Sequence, residues 1–329
     1  MIITRTPFRV SFAGGGSDIR DFYSRNGYGA VIGAAIKKYM YIVIHPYFQD
    51  KIRIKYSKTE DVDNVDEIQH PIVRECLKKV EIERGLEIAS FADVSAGSGL
   101  GSSSAFTVGL LNALYAYKGK KVSKQTLAEE ACEIEVDILG EPIGKQDQYI
   151  TAHGNINYIR FNKDETVNIS PISLTVSGHK NLEDSLSLYY IGGERRSGDI
   201  LAEQKNNMSV KDKFQKLKKM VTLVDELKKA FDADDITALG DILNKGWLYK
   251  KDLASNISNK TVDNLYARFI KLGAKGGKLL GAGGGGFLLI YAENHSILKK
   301  RLMHKTLPFV VDTEGTKVIF KERPGGADA

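Results

Sequence analysis

The sequence predicts an α+β protein of two lobes, and three observations support this fold class. The chain has 329 residues, and a single hydrophobic core rarely grows much beyond about 250 to 300 residues. Strand-like alternation dominates its N-terminal part, whereas helical spacing dominates from Gly101 onward. Its 42% hydrophobic and 27% charged residues are typical of a folded globular protein. We expect the boundary between the lobes near residue 175.

Strands and one helix are predicted in the N-terminal part. Period-2 alternation with β-branched and aromatic residues predicts strands within residues 2–12, 39–56 and 87–94. Between the last two, residues 70–84 carry apolar side chains at helical spacing. The glycine that follows them, Gly85, is a suitable C-terminal cap, so we expect the helix to end there.

Helices are predicted over most of the remaining chain. Helical spacing covers residues 103–117, 123–139, 210–231, 234–253 and 260–272. The second of these begins with a capping serine, Ser123, and stops at Gly140. Strand patterns return at residues 155–161, 186–191 and 287–291.

Composition and charge argue against several classes of function. No apolar run reaches the roughly 18 to 20 residues of a membrane span, and the N-terminus lacks a long apolar segment, so we expect a cytoplasmic protein without a membrane partner. Cys76 and Cys132 are too few for a disulfide framework and lack zinc-site spacing. Lys and Arg exceed Asp and Glu, 47 to 41, which favours anionic ligands. Because the lysines are scattered over helix faces, nucleic-acid binding is not expected.

Residues 95–105 place three glycines and five serines between a predicted strand and a predicted helix. Glycine lets backbone N–H groups turn inward, and the helix start adds free amides and a positive dipole end. We therefore predict a phosphate-binding loop; the alternative is a flexible turn whose serines only cap the helix. The loop is neither a Walker A sequence nor a serine nucleophile elbow, because it lacks Gly-Lys-Ser/Thr and Gly-x-Ser-x-Gly.

Two further glycine clusters flank this loop in the sequence. Near the C-terminus, Gly281 to Gly286 formally spell Gly-x-Gly-x-x-Gly, but a strand follows where a dinucleotide site needs a helix. Gly283, Gly284 and Gly285 are therefore expected to let two backbone segments, or backbone and ligand, approach closely. Near the N-terminus, residues 5–18 join a strand to a glycine turn. Arg9 and Ser11 share one face of that strand, and a surface arginine is the alternative interpretation of Arg9.

These three segments, in this order, resemble the three motifs of the GHMP kinase superfamily of small-molecule kinases. The resemblance spans residues 5–290 and implies the GHMP kinase fold, with an ATP-binding domain at 1–175, a C-terminal domain at 176–329 and an active site between the lobes. The segments most similar to D-glycero-D-manno-heptose 7-phosphate kinases are residues 6–18, 140–149, 193–201 and 276–287. Galactokinase-like members carry Glu-His where this chain has Gly15 and Gly16, which would leave room for a bulkier substrate.

The resemblance implies ATP and Mg²⁺ as cofactors. The residues that it assigns to the ATP phosphates are Gly97, Ser98, Gly99, Gly101, Ser102, Ser103 and Ser104. Ser103 also matches the serine that reaches magnesium, and Glu135 matches the acidic ligand, with Glu133 as the second choice. A solvated helix carboxylate is the alternative for either glutamate.

The same resemblance assigns the chemistry of transfer. Asp147 matches the aspartate that accepts or orients the proton of the substrate hydroxyl. Arg9 lies where relatives place a cation beside the transferring phosphoryl group, whose transition state it would stabilise. The residues expected around the sugar are Gly15, Gly16, Ser17, Asp18 and Asp147.

The substrate's own phosphate would need further cations. Arg195 and Arg196, with Ser197, are the first candidates, because guanidinium groups bind phosphate with two hydrogen bonds. Lys145 and Lys275 are lesser candidates, and a surface pair at a helix start is the alternative for the arginines.

Together these assignments predict phosphorylation of the anomeric hydroxyl of D-glycero-D-manno-heptose 7-phosphate to the 1,7-bisphosphate, in nucleotide-activated heptose synthesis for surface polysaccharides. The partners would be ATP and a small sugar phosphate. One alternative is a 1-kinase of L-fucose or another hexose. Another is a sugar sensor that has lost catalysis. The oligomeric state stays open, with a homodimer as one option.

Overall fold

The computed structural model describes residues 1–193 and 197–322, and of Ser197 only the backbone. The strands are β1 (Ile2–Ala13), β2 (Tyr28–Pro46), β3 (Ile52–Lys55), β4 (Thr59–Val62), β5 (Leu86–Ala92), β6 (Ile156–Asn162), β7 (Val167–Pro171), β8 (Leu186–Gly192), β9 (Gly276–Leu279), β10 (Gly286–Tyr291), β11 (Thr306–Pro308) and β12 (Lys317–Lys321). The helices are α1 (Arg20–Asn26), α2 (Pro71–Val80), α3 (Ser102–Tyr117), α4 (Lys124–Cys132), α5 (Gln146–His153), α6 (Val176–Ser185), α7 (Ser197–Asn207), α8 (Lys211–Asp232), α9 (Ala238–Lys251), α10 (Lys260–Lys271) and α11 (His295–Leu302). A 3₁₀ turn spans Val65–Glu67, and a π-helical segment, Glu133–Ile138, continues α4.

The larger sheet runs in the order β12-β1-β2-β5-β3-β4, with β6 and β7 added at β2. Strand β2 is 19 residues long and pairs with β1, with β6 near its start and with β5 near its end. All pairs in this sheet are antiparallel except β3 with β5. Strand β12 pairs with β1 only at Ile2–Arg5; farther along, the Arg9 N–H donates to the Leu100 carbonyl at 3.0 Å. Arg9 is 7% exposed, so it is not a surface arginine.

Helix α3 forms the centre of the first lobe. It packs against β1 and β2 and is covered by α2, α4 and α5. Its residues are small or apolar on nearly every side, as expected for a fully buried helix. A Cβ at Gly109 would lie 2.7 Å from Thr6 Oγ1, so this glycine allows α3 to lie directly against β1. The loop that begins α3 is thereby fixed beside Arg9.

The second lobe is built on the sheet β11-β8-β10-β9. Helix α9 packs on β9 and α8, and both helices also contact β1 of the first sheet. Phe12 on β1 packs edge-on against Phe231 of α8, with ring centroids 6.2 Å apart, and against Phe309 at 5.8 Å. Aromatic packing therefore joins the lobes next to the first glycine cluster.

The structure confirms the predicted α+β class and the type of each predicted element. The end of the helix predicted at Gly85 is wrong, because α2 ends at Val80. Glu81 adopts a left-handed conformation with φ of 57°, and its N–H and that of Ile82 both bond to the Leu77 carbonyl. Those bonds satisfy the last carbonyls of the helix without a glycine.

Two features of the C-terminal part concern the predicted division of the chain. Strand β12 returns to pair with β1, so a segment beyond residue 176 completes the first sheet. The division into 1–175 and 176–329 stays a prediction.

Both cysteines are buried and unpaired, as predicted. Among the helices that the structure describes, none is sufficiently long and apolar to cross a bilayer.

Candidate active site

Two connected clefts open where the three glycine clusters meet. We define the inner cleft, about 90 Å³ in volume, by the residues Ser11, Gly15, Gly16, Asp18, Lys250 and Lys278. The outer cleft, about 600 Å³, is lined by the phosphate loop from Gly97 to Ser104 and by an apolar end. Arg9 and Asp147 line both clefts. A group bound in one cleft can therefore reach a group bound in the other at this pair.

The phosphate loop depends on three glycines with left-handed backbones. Gly97, Gly99 and Gly101 have φ values of 75°, 82° and 75°. A Cβ at Gly99 would lie 2.7 Å from the Leu280 carbonyl oxygen, whereas one at Gly97 would meet nothing within 4 Å. At Gly101 it would lie 3.0 Å from Arg9 Cγ. The loop thus lies directly against both β1 and the C-terminal glycine cluster.

The serines of this loop differ in what they contact. Ser102, Ser103 and Ser104 form the first turn of α3 and line the outer cleft, where their N–H groups have no helical partner. Ser98, by contrast, lines neither cleft, and its Oγ is buried without a hydrogen-bond partner among the described residues. The loop therefore presents amides and hydroxyls toward the space in which an anion would lie.

Arg9 and Asp147 form an ion pair with two parallel hydrogen bonds. Arg9 Nε donates to Asp147 Oδ1 at 2.6 Å, and Nη2 donates to Oδ2 at 2.5 Å. The remaining nitrogen, Nη1, donates to the Gly99 carbonyl at 2.7 Å. Asp147 lies in the first turn of α5 and Arg9 on β1, so one guanidinium ties strand, helix and loop together.

Glu135 is the carboxylate beside the phosphate loop. Ser103 Oγ donates to its Oε1 at 2.7 Å, and Gln148 Nε2 donates to its Oε2 at 2.6 Å. Burial raises the pKa of Glu135, while these hydrogen bonds act in the opposite direction. Glu133, the second choice from the sequence, is exposed and pairs with Lys79 at 2.7 Å. Only Glu135 therefore adjoins the loop.

The donors around Glu135 suit a magnesium ion. Mg²⁺ prefers oxygen ligands and needs only one or two from protein when phosphates supply others, and Ser103 and Glu135 present two adjacent oxygens. Within the described ranges, no cluster of three or more His, Cys, Asp or Glu side chains could hold a metal. An ion at this position would thus be held by the Ser103 hydroxyl, the Glu135 carboxylate and the phosphate oxygens of a bound nucleotide.

The N-terminal glycine turn contributes a buried carboxylate to the inner cleft. Asp18 accepts hydrogen bonds from the N–H of Gly16 at 2.9 Å and from Gln146 Nε2 at 3.0 Å. Burial raises the pKa of Asp18, and the charge of Asp147 acts in the same direction. Gly16 has a φ of 94°, a left-handed conformation that favours glycine, and the side chain of Gln204 from α7 fills the space beside it.

Ser17 does not have the position that the sequence suggested. Its hydroxyl is fully buried, donates to the Ala30 carbonyl at 2.8 Å and accepts from the Ala30 N–H at 3.1 Å. It is absent from the lining of the inner cleft. The hydroxyl is used to hold the turn against β2, so we withdraw it from the sugar-contacting set.

The C-terminal glycine cluster connects β9 to β10. Its glycines allow close backbone approach, as predicted: a Cβ at Gly283 would lie 2.7 Å from Ile257, and one at Gly285 would collide with the Gly193 carbonyl. Gly284 N–H donates to the Ile257 carbonyl at 3.1 Å. Gly283 and Gly285 line the outer cleft, opposite the phosphate loop.

Sequence reasoning missed two buried lysines. Lys250 on α9 and Lys278 on β9 line the inner cleft and are only 8% and 5% exposed. Lys250 lies three residues after Trp247 on the apolar stripe of α9, where an apolar residue would be expected, and this was a detectable signal. Lys278 lies in a fully buried strand of four residues, too short for any pattern to identify.

The apolar end of the outer cleft was also missed. It is lined by Tyr56, His70, Ile72, Phe91 and Phe106. The rings of His70 and Phe106 stack with centroids 5.1 Å apart, and Tyr56 meets His70 edge-on at 4.9 Å. Burial lowers the pKa of His70, which favours its neutral form. These surfaces suit a flat, uncharged aromatic group.

None of the cations predicted for a substrate phosphate is placed in the clefts by the described part of the structure. Lys145 is turned away from the clefts and pairs with Glu165 at 2.5 Å, and Lys275 pairs on the surface with Glu293 at 2.5 Å. Arg195 and Arg196 lie outside the described residues, as does the side chain of Ser197. Helix α7, which begins at Ser197, contributes Leu201 to both clefts.

A serine- and glycine-rich phosphate loop at the start of a buried helix, facing an arginine and an aspartate across two joined clefts, defines a small-molecule kinase. Family comparison agrees: the GHMP kinases N terminal domain matches residues 70–155, and the GHMP kinases C terminal domain matches residues 227–300. The chain belongs to the GHMP kinases, and it is an enzyme that transfers a phosphoryl group.

Individual relatives cover nearly the whole chain. A D-glycero-alpha-D-manno-heptose 7-phosphate kinase of Campylobacter jejuni is 28% identical over 96% of this chain and 97% of its own. The crystal structure of a D-glycero-D-manno-heptose 1-phosphate kinase from Bacteroides thetaiotaomicron has a TM-score of 0.78 at 22% identity, covering 98% of this chain and 100% of that one. Streptococcus pneumoniae phosphomevalonate kinase, solved with phosphomevalonate and AMPPNP, has a TM-score of 0.73 at 17% identity, covering 98% and 100%.

Proposed function

We propose that this protein transfers the γ-phosphoryl group of ATP to the anomeric hydroxyl of D-glycero-D-manno-heptose 7-phosphate and forms the 1,7-bisphosphate. The observation that carries the proposal is the pair of joined clefts that share Arg9 and Asp147. One cleft offers phosphate-binding amides, and the other offers a buried carboxylate and cations. Similarity to a heptose 7-phosphate kinase over nearly the entire chain supports the choice of acceptor.

In this proposal the nucleotide occupies the outer cleft. The triphosphate lies along Gly97 to Ser104, where turned-in amides and the positive end of α3 favour negative charge. The adenine lies at the apolar end between rings such as Tyr56 and Phe106. The neutral form of His70 supports this placement, because a charged imidazole would favour phosphate over a base.

Transfer would take place between Arg9 and Asp147. The C1 oxygen forms a bond to the γ-phosphorus while the bond from phosphorus to the bridging oxygen of ATP breaks, and ADP keeps that electron pair. The hydroxyl proton passes to Asp147 Oδ, whose carboxylate is held in one orientation by two hydrogen bonds. Arg9 stabilises the charge that develops on the transferred oxygens.

Ser103 and Glu135 would hold a magnesium ion, which neutralises charge on the phosphates when it is bound. Gln148 keeps the Glu135 carboxylate facing the loop by its hydrogen bond at 2.6 Å. Since the carboxylate is buried, its affinity for a cation is aided by the low local dielectric.

The sugar would lie in the inner cleft. Asp18 accepts hydrogen bonds from sugar hydroxyls. Gly15 leaves space for the ring, because a Cβ there would lie no nearer than 3.6 Å to another residue, and Gly16 lines the cleft with its backbone. Arg195 and Arg196, with Ser197, remain proposed contacts to the acceptor. The bisphosphate product, formed in the cytoplasm, would enter synthesis of nucleotide-activated heptose for surface polysaccharides.

A substrate panel tests the proposal. The purified protein is assayed with Mg-ATP and heptose 7-phosphate, heptose 1-phosphate, unphosphorylated heptose, L-fucose and galactose, with ADP release as the readout. We expect the highest kcat/KM for heptose 7-phosphate and a product with two phosphorus signals, one of them anomeric, by ³¹P NMR. A higher kcat/KM for L-fucose would establish the hexose 1-kinase alternative, and no turnover of any acceptor would favour a sensor.

A further inference from the structure

The inner cleft contains two buried ammonium groups that no carboxylate neutralises within residues 1–193 and 197–322. Lys250 Nζ donates to the carbonyl oxygens of Leu279 at 3.1 Å and Gly281 at 2.5 Å. Among the described residues, Lys278 Nζ has one acceptor, the Phe12 carbonyl, at 3.5 Å, the outer limit of a hydrogen bond. Three donors on each ammonium leave capacity for a further acceptor.

Neighbouring lysines show what the usual arrangement is. Lys251, next to Lys250 on α9, pairs with Asp263 at 3.0 Å, and Lys275, three residues before Lys278, pairs with Glu293 at 2.5 Å. Both of these lie nearer to solvent. Burying a cation is costly unless an opposite charge accompanies it. Lys145, as little exposed as Lys250 at 8%, also has a carboxylate partner, Glu165. Of the buried lysines in the described part of the chain, Lys250 and Lys278 are therefore the two without such a partner.

The carboxylates nearest to the two lysines are already engaged. Asp147 uses both oxygens on Arg9. Asp18 accepts hydrogen bonds from Gly16 and Gln146. Among the described residues that line the inner cleft, three basic side chains face two carboxylates. An anionic ligand would restore the balance.

The position of the lysines indicates which ligand carries that anion. Both line the inner cleft together with Gly15 and Asp18, and neither lines the outer cleft that contains the phosphate loop. Ser11 Oγ and Gln146 Oε1, in the same cleft, are buried without partners among the described residues. The unsatisfied groups therefore face the acceptor side of the Arg9–Asp147 pair and not the nucleotide side.

We propose that Lys250 and Lys278 bind the phosphate ester that the sugar acceptor itself carries. The inference rests on the proposed function in that the acceptor is a sugar phosphate. It adds a pair of cations from α9 and β9 to the acceptor site and explains why lysines are buried there. The lysines discriminate phosphorylated from neutral sugars, because a neutral sugar leaves both ammonium groups without a counter-charge.

The test replaces each lysine by methionine, which keeps the length and removes the charge. Lys250→Met and Lys278→Met are assayed with heptose 7-phosphate, with the unphosphorylated heptose and with ATP varied. We expect KM for heptose 7-phosphate to rise on the order of 10- to 100-fold, KM for ATP to change little, and the preference for the phosphorylated sugar to be lost. Lys251→Met and Lys275→Met are the matched controls and should keep wild-type values.

Unchanged KM values for heptose 7-phosphate in folded Lys250→Met and Lys278→Met would overturn the inference while leaving the proposed function intact. An Arg195→Ala/Arg196→Ala variant, run in parallel, reports whether the arginines bind the same group. Lys250→Arg and Lys278→Arg, which keep the charge, should retain most of the affinity, and loss equal to that of the methionine variants would point to packing alone.

A second measurement needs no variant and does not depend on the identity of the sugar. Inorganic phosphate is titrated into the wild-type reaction, and its inhibition is determined against the acceptor and against ATP separately. Competition with the acceptor at concentrations that leave KM for ATP unchanged supports the inference, even if the panel above identifies a different sugar. Absence of competition with the acceptor, or competition with ATP only, overturns it.

Discussion

Arg9 and Asp147 are 138 positions apart in the sequence and form an ion pair that lines both clefts, with hydrogen bonds of 2.6 Å and 2.5 Å. Two parallel hydrogen bonds fix the orientation of the Asp147 carboxylate as well as its distance from the Arg9 guanidinium. The third hydrogen bond, from Arg9 to the Gly99 carbonyl, attaches the pair to the phosphate loop. Movement of the loop would therefore reorient the Asp147 carboxylate, for which we propose the role of proton acceptor.

Asp147→Asn should lower kcat by about 10² to 10⁴, the usual contribution of a positioned proton acceptor. KM for ATP should change much less than kcat, because the amide keeps the size of the side chain and its oxygen can still accept one of the two Arg9 hydrogen bonds. Steady-state kinetics with both substrates varied measures this. Asp137→Asn is the control, since that exposed carboxylate pairs with Arg20 at 2.8 Å away from the clefts. An unimpaired kcat in Asp147→Asn would remove the assignment.

Arg9→Lys should lower kcat at least about tenfold although the charge is kept, because an ammonium cannot reproduce the planar fork. One Nζ cannot hold both oxygens of Asp147 and the Gly99 carbonyl in their present directions. Arg20→Lys, at an exposed arginine, is the comparison and should leave kcat unchanged. The two variants are compared by kcat at saturating ATP and acceptor; equal values would show that only charge matters at Arg9.

Glu135→Gln should raise the free Mg²⁺ concentration needed for half-maximal rate roughly tenfold or more. Removing a side chain that only hydrogen-bonds to a metal ligand already lowers metal affinity about 10- to 100-fold, and removing a ligand should lower it at least as much. Glu133→Gln, two residues away and exposed, should leave it unchanged. The rate is measured against free Mg²⁺ at saturating ATP. Because burial raises the pKa of Glu135, the wild-type requirement for Mg²⁺ should also increase as pH falls. Identical Mg²⁺ curves for the two variants would exclude Glu135.

Local signals in the sequence identified the long helices and the phosphate loop, but they missed the shorter helices α1, α5, α6, α7 and α11 and the first part of β2. The glycines at 97, 99 and 101 are needed for left-handed backbone, which is a property of the residue itself. Ser17 was placed wrongly because its hydroxyl bonds to Ala30 on the next strand, and strand pairing is not a local signal. Lys250 and Lys278 meet in one cleft only because α9 packs on β9, a contact that neither segment encodes alone.

Gly99→Ala should damage the enzyme far more than Gly97→Ala, although both glycines have φ near 80° or 75°. The added methyl at Gly99 would lie 2.7 Å from the Leu280 carbonyl, and at Gly97 it would enter open space. Left-handed strain alone costs about 1 to 2 kcal/mol and is common to both. We expect KM for ATP to rise at least about tenfold in Gly99→Ala only. Nucleotide titration and thermal unfolding of both variants measure this, and equal damage would show that strain alone decides.

The acceptor affinity should depend on pH through Lys250. Burial lowers the pKa of Lys250 to about 7; the charge of Arg9 acts in the same direction, and that of Asp147 opposes it. Lys278, across the cleft on β9, has its pKa lowered well below the usual value by burial and by Lys250, while Asp18 raises it. A lysine with a lowered pKa is charged below that pKa and neutral above it, so the cleft loses positive charge as pH rises through 7.

Consequently, kcat/KM for heptose 7-phosphate, which reports the free enzyme, should fall as pH rises from about 7 to 9. The substrate phosphate gains its second charge near pH 6, so the profile should rise to that point before it falls. Lys250→Arg, whose charge does not titrate in this range, should flatten the alkaline limb, whereas Lys251→Arg should not. The same series with unphosphorylated heptose should show no such fall. A kcat/KM for heptose 7-phosphate that stays level from pH 7 to 9 in the wild type would contradict a role for the Lys250 charge in acceptor binding.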